Sequence, residues 1–428
     1  MSRAFRILDR KRQGARLTDD EIQEVVAGAA DASWSDAQLA AFLMAAAVRG
    51  LDGGETLALT LAMLESGERW DLAADLPQLT DKHSTGGVAD TVSLVLAPLL
   101  AACGVEVVML TGRGLGHTGG TADKLESIPG LRLDLDRGSC LDLLRRHRMA
   151  IGVATREIAP ADRRLYALRD QTGTVSSLPL ITGSILSKKL ATGAAALVFD
   201  VKTGNGAFLA ERAEAEALAR LLVETTVALG RRASALITDM SQPLGEWAGH
   251  TAEVRATFEA LEGRGSPALL EVTYALCDEV ARLVGHSLER VQLEAAIASG
   301  HARETFSRWA ADQGADPAWL ANPRFPLAPV EKVIGAPRAG RLAGVDTRQL
   351  GLLLSEAGGA RHTLGGDIDL EVAIRMKARL GDGVGECQEL ARVYLRRDDP
   401  DLAARFGGCF TVAEEGPSPQ LVLDQIEA

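Results

Sequence analysis

The chain has 428 residues, more than a single hydrophobic core usually serves, so we expect two or three domains. Apolar residues make up 46% and charged residues 24% of the chain, which is typical of a soluble globular protein. The formal net charge of −12 argues against a nucleic-acid-binding or anionic-membrane surface, because both need a basic face.

The start of the chain and the cysteines indicate the compartment. Residues 1–16 carry arginines without an apolar core, which argues against a signal peptide, and no apolar run is long enough for a membrane span. The five cysteines are odd in number, scattered and free of CxxC spacing, as in reduced proteins without a disulfide framework or zinc site. We therefore expect a cytoplasmic protein with no membrane partner and no metal site.

The first 68 residues have helical patterns alone. Thr18 and Glu21 form one predicted capping box, and Ser35 and Gln38 form a second. The predicted helices cover residues 21–30, 37–49 and 55–65. No chemistry is visible in this segment, which we predict to be a helical domain.

From about residue 76 the pattern changes to short apolar strands, glycine loops and long helices, which indicates an α/β domain. The first glycine loop, residues 81–93, surrounds a Gly-Gly pair with a lysine, a histidine and four hydroxyl residues. We interpret it as a loop that opens a helix over residues 91–102. Because a helix N-terminus offers unpaired N–H groups, Lys82, Ser84 and Ser93 are candidate phosphate ligands.

A second glycine loop, residues 111–126, follows a predicted strand over 105–110. Its glycines permit positive φ and let backbone N–H groups approach a ligand. The loop lacks the order of a P-loop, and its glycine spacing misses the dinucleotide fingerprint. A flexible turn is the alternative, but two such loops at one edge of an open α/β sheet favour a shared anionic ligand.

Further along, Thr182 or Ser184 could cap a helix that carries Lys188 and Lys189. For the lysine pair alone, a solvated helix surface is the simpler interpretation. A buried strand over 195–202 and a third glycine turn follow, then helices to about residue 330. Short alternating runs from residue 331 onward suggest a small α+β unit.

Four segments of the chain together resemble the thymidine and pyrimidine nucleoside phosphorylases. They are Lys82-His-Ser-Thr-Gly-Gly-Val88; Thr111 to Gly130; Ala159-Pro-Ala-Asp162 with Arg169-Asp170; and Leu180 to Lys189 with Asp200 to Phe208. The resemblance covers essentially the whole chain. It implies a homodimer with a small helical domain of residues 1–68 continued by 161–191, and a large α/β domain with a mixed sheet. The α/β domain would cover residues 69–160 and 192–330, and the α+β unit residues 331–428.

The resemblance also implies an activity, the reversible phosphorolysis of pyrimidine nucleosides. Thymidine and phosphate would give thymine and 2-deoxyribose 1-phosphate, with no metal or organic cofactor. The phosphate ligands it implies are Lys82, Ser84, Ser93, Thr111 and Thr121. The base-side residues it implies are His83, Arg169, Ser184 and Lys188, of which His83, Arg169 and Lys188 would be catalytic. His83 could pass a proton or act as a hydrogen-bond donor, and both roles stay open.

Several positions depart from the family pattern. Ser176 and Gln171 replace a usual aspartate and a usual apolar residue near the base. Ala256 stands where some members have a potassium-binding glutamate, so a potassium site is doubtful here. Met109 stands where broad-specificity members, which also use uridine, have a lysine, and we therefore predict that 2′-deoxyribonucleosides are preferred.

Three alternatives remain beside this interpretation. The first is a broad-specificity pyrimidine nucleoside phosphorylase that also uses uridine. The second is an enzyme like the anthranilate phosphoribosyltransferases, which would need a site for diphosphate and magnesium. The third is a non-catalytic nucleoside or phosphate binder, which the joint presence of Arg169, Ser184 and Lys188 makes the weakest.

Overall fold

The computed structural model describes residues 2–112, 119–360 and 367–428. The helices are, in chain order, α1 (Arg3–Arg12), α2 (Asp19–Ala30), α3 (Asp36–Arg49), α4 (Gly53–Glu65), α5 (Val92–Ala102), α6 (Thr121–Leu125), α7 (Arg137–His147), α8 (Pro160–Thr172), α9 (Leu178–Ala191), α10 (Arg212–Ala228), α11 (His250–Leu261), α12 (Pro267–Leu283), α13 (Arg290–Ala298), α14 (His301–Asp312), α15 (Pro317–Ala321), α16 (Thr347–Leu354) and α17 (Pro400–Gly407). The strands are β1 (Thr80–Ser84), β2 (Val107–Thr111), β3 (Met149–Val153), β4 (Ala196–Thr203), β5 (Arg232–Asp239), β6 (Trp247–Ala248), β7 (Val330–Gly335), β8 (Gly340–Val345), β9 (Ala373–Met376), β10 (Gly383–Val384), β11 (Glu389–Leu395), β12 (Phe410–Ala413) and β13 (Val422–Glu427). Within these ranges no helix is both long and apolar enough to cross a membrane.

The N-terminal helices α1 to α4 form a bundle. The predicted capping boxes at Thr18 and Ser35 are present, and Asp52 forms a third at the start of α4. The sequence prediction missed α1, because in this charge-rich segment only Ala4, Ile7 and Lys11 are buried. The bundle core also includes side chains of α8 and α9, namely Ala161, Leu165 and Leu180. The helical unit is therefore built from two separate stretches of chain.

The central sheet has six strands in the order β13-β5-β4-β1-β2-β3. β1 to β5 run parallel, and β13 joins the edge antiparallel to β5, so the mixed sheet expected from the sequence is confirmed. β4 has all eight residues buried, as expected for a central strand covered on both faces. Parallel strands bring their carboxyl ends to one edge, so the last residues of β1, β2 and β4 lie along the same edge of the sheet.

The C-terminal residues form two small antiparallel sheets, β10-β8-β12 and β6-β9-β11-β7. Their core is shared with the α/β part, because β6 pairs with β9 and the cluster includes Val88, Trp247 and Ala256. An α+β unit was expected here. The residue boundaries of the three predicted domains stay a prediction.

Two predictions of local structure were wrong. The segment interpreted as a loop from residue 81 begins as strand β1, so Lys82, His83 and Ser84 lie on a strand. Helix α9 begins at Leu178 rather than after Thr182 or Ser184, because the fixed φ of Pro179 suits the first turn of a helix. Thr182 instead donates its hydroxyl to the Leu178 carbonyl at 2.9 Å.

Three links connect the helical bundle to the sheet, residues 66–79, 154–159 and 192–195, and the first bonds to the chain around the third. The Trp70 N–H donates to the Ala191 carbonyl at 2.7 Å, and the Leu72 N–H donates to the Thr192 carbonyl at 2.8 Å. Gly67 also lies in the first link, and a Cβ atom there would overlap the carbonyl oxygen of Glu157, in the link between β3 and α8. That link therefore leaves no room for a side chain at residue 67.

Replacing Gly67 by alanine should lower the free energy of unfolding by about 1–3 kcal/mol, because the added methyl group overlaps backbone atoms. Urea unfolding followed by circular dichroism measures this. Gly53→Ala is the matched control, since a Cβ at Gly53, the first residue of α4, meets nothing within 4 Å. Equal stability of both variants would contradict the close packing of Gly67 against Glu157.

Candidate active site

Lys82 lies at the carboxyl edge of the sheet without exposed side-chain surface. Its Nζ is 3.0 Å from Asp200 Oδ2 and 3.3 Å from Ser93 Oγ, in the first turn of α5. The structure thus brings together two of the predicted phosphate ligands, Lys82 and Ser93. Asp200, which the sequence reasoning quoted only as part of a motif, holds the lysine in place.

Ser84 is turned toward a carboxylate. Its hydroxyl donates to Asp90 Oδ2 at 2.6 Å and accepts from the Gly86 N–H at 3.1 Å. Burial raises the pKa of Asp90, but Lys202, Lys82 and Lys124 outweigh burial and hold the pKa below its ordinary value. Asp90 is therefore ionised. It accepts the one hydrogen bond that the Ser84 hydroxyl could otherwise donate to a phosphate.

Thr111 and Thr121 flank the second glycine loop. Thr111 ends β2 and Thr121 begins α6, and both are partly buried. The middle of the loop, residues 113–118, lies outside the described residues. Beside it Lys124 is buried, with Nζ 2.7 Å from Glu253 Oε2 and donating to the Asp90 carbonyl at 2.6 Å.

A second group of donors lies on α9. Lys188 Nζ contacts the carboxylate of Asp162, in α8, and donates to Ser184 Oγ one turn earlier at 3.1 Å. Asp162 is 3% exposed, and its Oδ1 has no hydrogen-bond partner among the described residues. The simpler interpretation of Lys188 and Lys189 as a solvated surface is wrong, because Lys188 is partly buried and Lys189 is 4% exposed.

Arg169 is almost fully buried, and its guanidinium meets backbone carbonyls. It donates to Leu180 at 2.9 Å, to Val175 at 2.7 Å and to Thr174 at 3.5 Å. Three of its five N–H groups are thereby used to hold the connection between α8 and α9. In this arrangement Arg169 has at most two N–H groups left for a substrate, which limits the base-side role predicted for it.

Lys189 ties α9 to β1, a contact that the sequence reasoning missed. Its Nζ donates to Asp81 Oδ1 at 2.8 Å and to the Lys82 carbonyl at 3.4 Å. Burial raises the pKa of Asp81 to about 6, although Lys189 opposes the rise. The donors of α9 and the phosphate-side residues of β1 are therefore joined by direct contacts.

His83 lies between these two groups. Burial lowers the pKa of its imidazole well below the ordinary value, and the charges of Lys189, Lys82 and Lys188 lower it further. The ring is therefore neutral near pH 7 and can donate one hydrogen bond but not a readily available proton. This favours the hydrogen-bonding role among the two that the sequence left open.

Met109 and Ala256 are both buried in hydrophobic cores. Met109 is 2% exposed, in the middle of β2, within the main hydrophobic core. Ala256 is buried in α11 and belongs to the second core. The predicted part of Met109 in sugar choice and the doubtful potassium site both stay predictions.

The ring of His83 should remain neutral between about pH 6 and 8, because charging it would place a fourth cation beside three lysines. The unfolded chain takes up a proton near pH 6.5, so His83 should make the folded state less stable as the pH falls through that value. Proton–carbon NMR of the histidine rings across this range measures the titration, and the His83→Gln variant identifies the resonance. A midpoint at or above pH 6.5 would contradict the burial argument.

Comparison with known proteins places the chain. Residues 6–67 match the helical bundle domain of a glycosyl transferase family, and residues 76–303 match its a/b domain. The pyrimidine-nucleoside phosphorylase of Staphylococcus aureus (strain USA300) is 39% identical over 426 residues, covering 98% of both chains. That of Geobacillus stearothermophilus is 40% identical over 427 residues, covering 98% of this chain and 99% of the relative.

A solved structure shows the same fold. The anthranilate phosphoribosyltransferase from Thermus thermophilus superposes with a TM-score of 0.60 at 19% identity, over 72% of this chain and 99% of its own. At this identity the likeness concerns the fold alone. The two family domains and the near-full-length relatives go further: this chain is an enzyme of the pentosyltransferase type and belongs to the pyrimidine-nucleoside phosphorylase family.

Proposed function

We propose that the protein catalyses the reversible phosphorolysis of pyrimidine 2′-deoxynucleosides, in which thymidine and phosphate give thymine and 2-deoxyribose 1-phosphate. One observation carries the proposal: two groups of donors are tied together by the bonds of Lys189 to β1. Lys82 and Ser93 form the group on the sheet edge, Ser184 and Lys188 form the group on α9, and Lys189 bonds to β1 between them.

This arrangement suits cleavage of an N-glycosidic bond. A phosphate oxygen attacks C1′ of the sugar, the C–O bond forms, and the electron pair of the C–N bond leaves with the base. Positive charge develops on the sugar and negative charge on the base, so cationic donors near the base stabilise the transition state more than the substrate. The base takes up a proton as it leaves or after it has left.

On the base side, Lys188 is the cation best placed to meet the developing charge. Asp162 keeps its ammonium group oriented, and Ser184 adds a hydroxyl one turn away. The neutral ring of His83 can donate one hydrogen bond to a pyrimidine oxygen. Arg169 supports the site chiefly by holding the α8–α9 connection in place.

On the phosphate side, we assign binding to Lys82, Ser93, Thr111, Thr121 and Ser84. Lys82 supplies the charge, and the hydroxyl groups supply short hydrogen bonds. The Ser84 hydroxyl must leave Asp90 before it can donate to phosphate. The reaction on these residues needs no metal or organic cofactor.

We also propose a homodimer in the cytoplasm, as the family resemblance and the cysteine pattern suggest. All five cysteines are free in the structure, which fits a reducing compartment. Sedimentation analysis of the purified protein tests the dimer.

The activity itself is tested by thymine release from thymidine in the presence and absence of phosphate, followed by ultraviolet absorbance. Replacing Lys188 by methionine should lower kcat/KM by about two orders of magnitude, the usual loss for a transition-state donor. Lys332→Met is the matched control, because the two lysines have similar surroundings. The Lys332 side chain is 31% exposed and lies 2.7 Å from Asp398, and the Lys188 side chain is 33% exposed and lies beside Asp162. No thymine release by the wild type would refute the proposal, and a loss below about tenfold would remove Lys188 from the chemistry.

Sugar preference is tested by the specificity constants for deoxyuridine and uridine, which share one base. A 2′-hydroxyl buried against the Met109 thioether would lose its water without gaining a partner, so we expect deoxyuridine to be favoured by about tenfold to a hundredfold. Met109→Lys should narrow this ratio, and Met109→Leu, which stays apolar, should preserve it. Equal constants for the wild type would favour the broad-specificity alternative, and an unchanged ratio in Met109→Lys would place the discrimination elsewhere.

A further inference from the structure

Three neighbouring strands converge on the carboxylate of Asp200. Lys82, from β1, lies 3.0 Å from Oδ2; Lys202, from β4, lies 2.8 Å from Oδ1; and Thr238, from β5, donates its hydroxyl to Oδ1 at 2.6 Å. The side chains of both lysines and of Asp200 are 0% exposed. Of the two lysines, Lys82 is the one that also reaches the predicted phosphate ligand Ser93.

Strand register produces this convergence. Asp200 and Lys202 are two residues apart on β4, so their side chains leave the same face of the sheet. Asp200 is opposite Ser84 on β1, two residues beyond Lys82, and Lys202 is opposite Thr238 on β5. The sheet therefore places one carboxylate between two ammonium groups.

Lys202 contributes one of the positive charges of this group. Together with Asp200, the two lysines carry one net positive charge, and they also stabilise the nearby anion Asp90. The third nearby lysine, Lys124, is matched by Glu253 at 2.7 Å. If Lys202 were absent, Asp200 would neutralise Lys82 alone, and a phosphate beside Lys82 would meet an ion pair instead of a cation.

We propose that Lys202 is a positioning residue for phosphate: by occupying Oδ1 of Asp200, it leaves the charge of Lys82 available to the anion while Asp200 still fixes the position of Lys82. Lys202 itself does not touch the phosphate. The inference rests on the proposed function, in that it takes inorganic phosphate as the ligand of Lys82.

The test replaces Lys202 by methionine, which keeps most of the side-chain length and removes the charge. Loss of one buried charge near an anion should raise the phosphate KM, and the Kd of inorganic phosphate in calorimetry, by about tenfold to a hundredfold. The thymidine KM should change by less than about threefold. A phosphate Kd within about twofold of wild type, or an equal rise of both KM values, would overturn the proposal.

The double variant Lys202→Met with Asp200→Asn separates electrostatics from packing. It restores the net charge of the group, because Lys82 then keeps an unpaired charge, so it should recover most of the lost phosphate affinity. If Lys202 served only to fill the core, the second substitution would add to the damage of the first. A double variant that binds phosphate no better than Lys202→Met would therefore overturn the proposal.

Lys11→Met is the matched control for loss of a buried lysine. Lys11 is 3% exposed, and its Nζ lies 2.7 Å from Glu55 in the helical bundle. This variant should lose stability but keep the phosphate Kd, and a weakened Kd would show that Lys202→Met acts through general destabilisation. Calorimetry needs no nucleoside, so it tests phosphate binding separately from the reaction. If the wild type and the three variants bind phosphate as expected but the wild type releases no thymine, the role of Lys202 is supported and the proposed reaction is refuted. A wild type that binds no phosphate would overturn both.

Discussion

An ammonium group removed from water needs a carboxylate beside it, and this requirement organises the carboxyl edge of the sheet. The buried pairs there are Lys82 and Lys202 with Asp200, Lys124 with Glu253, and Lys189 with Asp81. Lys202 and Asp200 lie on one strand, whereas the other three pairs join β1 with β4, α6 with α11 and α9 with β1, so the matching of charges also ties distant parts of the chain together. The cost of burying these ions is met by packing elsewhere in the chain. Such costly groups are retained most readily where a site uses their charge.

Helix α9 connects the two halves of the site because consecutive residues on a helix point about 100° apart. Lys188 is directed to Asp162 in α8, whereas Lys189 is directed to Asp81 and the backbone of β1. A single turn of helix therefore holds one cation against α8, on the proposed base side, and the next against β1, on the proposed phosphate side. A shift of α9 against the sheet would disturb both contacts together, and for this reason the bonds of residues 70 and 72 to the end of α9 matter to the proposed site.

The sequence allowed the fold class and most helices to be predicted because their signals are local. The capping boxes of α2 and α3 and the apolar strands β2 and β4 each lie within a few residues. β1 could not be recognised, since Thr-Asp-Lys-His-Ser has no apolar pattern and its buried charges depend on Asp200 and Lys189, more than a hundred residues away. The family resemblance assigned roles to the donors of the site, but none to the carboxylates that orient them, although Asp162 and Asp200 lie in the motifs on which it rests. Local spacing identifies cations and hydroxyl groups as candidate anion ligands, but it does not reveal which carboxylate will meet them.

The matched charges of the free site limit how phosphate can enter. The Ser84 hydroxyl has one proton and donates it to Asp90, so a phosphate oxygen that accepts this proton must displace the carboxylate. Lys202, Lys82 and Lys124 hold the pKa of Asp90 below its ordinary value, so Asp90 cannot relieve the repulsion between two anions by taking up a proton near neutral pH. Binding at Lys82 and Ser93 is compatible with the present arrangement of residues 85–91. Binding that includes Ser84 requires its hydroxyl to give up the bond to Asp90, either by rotation of the serine side chain or by movement of Asp90.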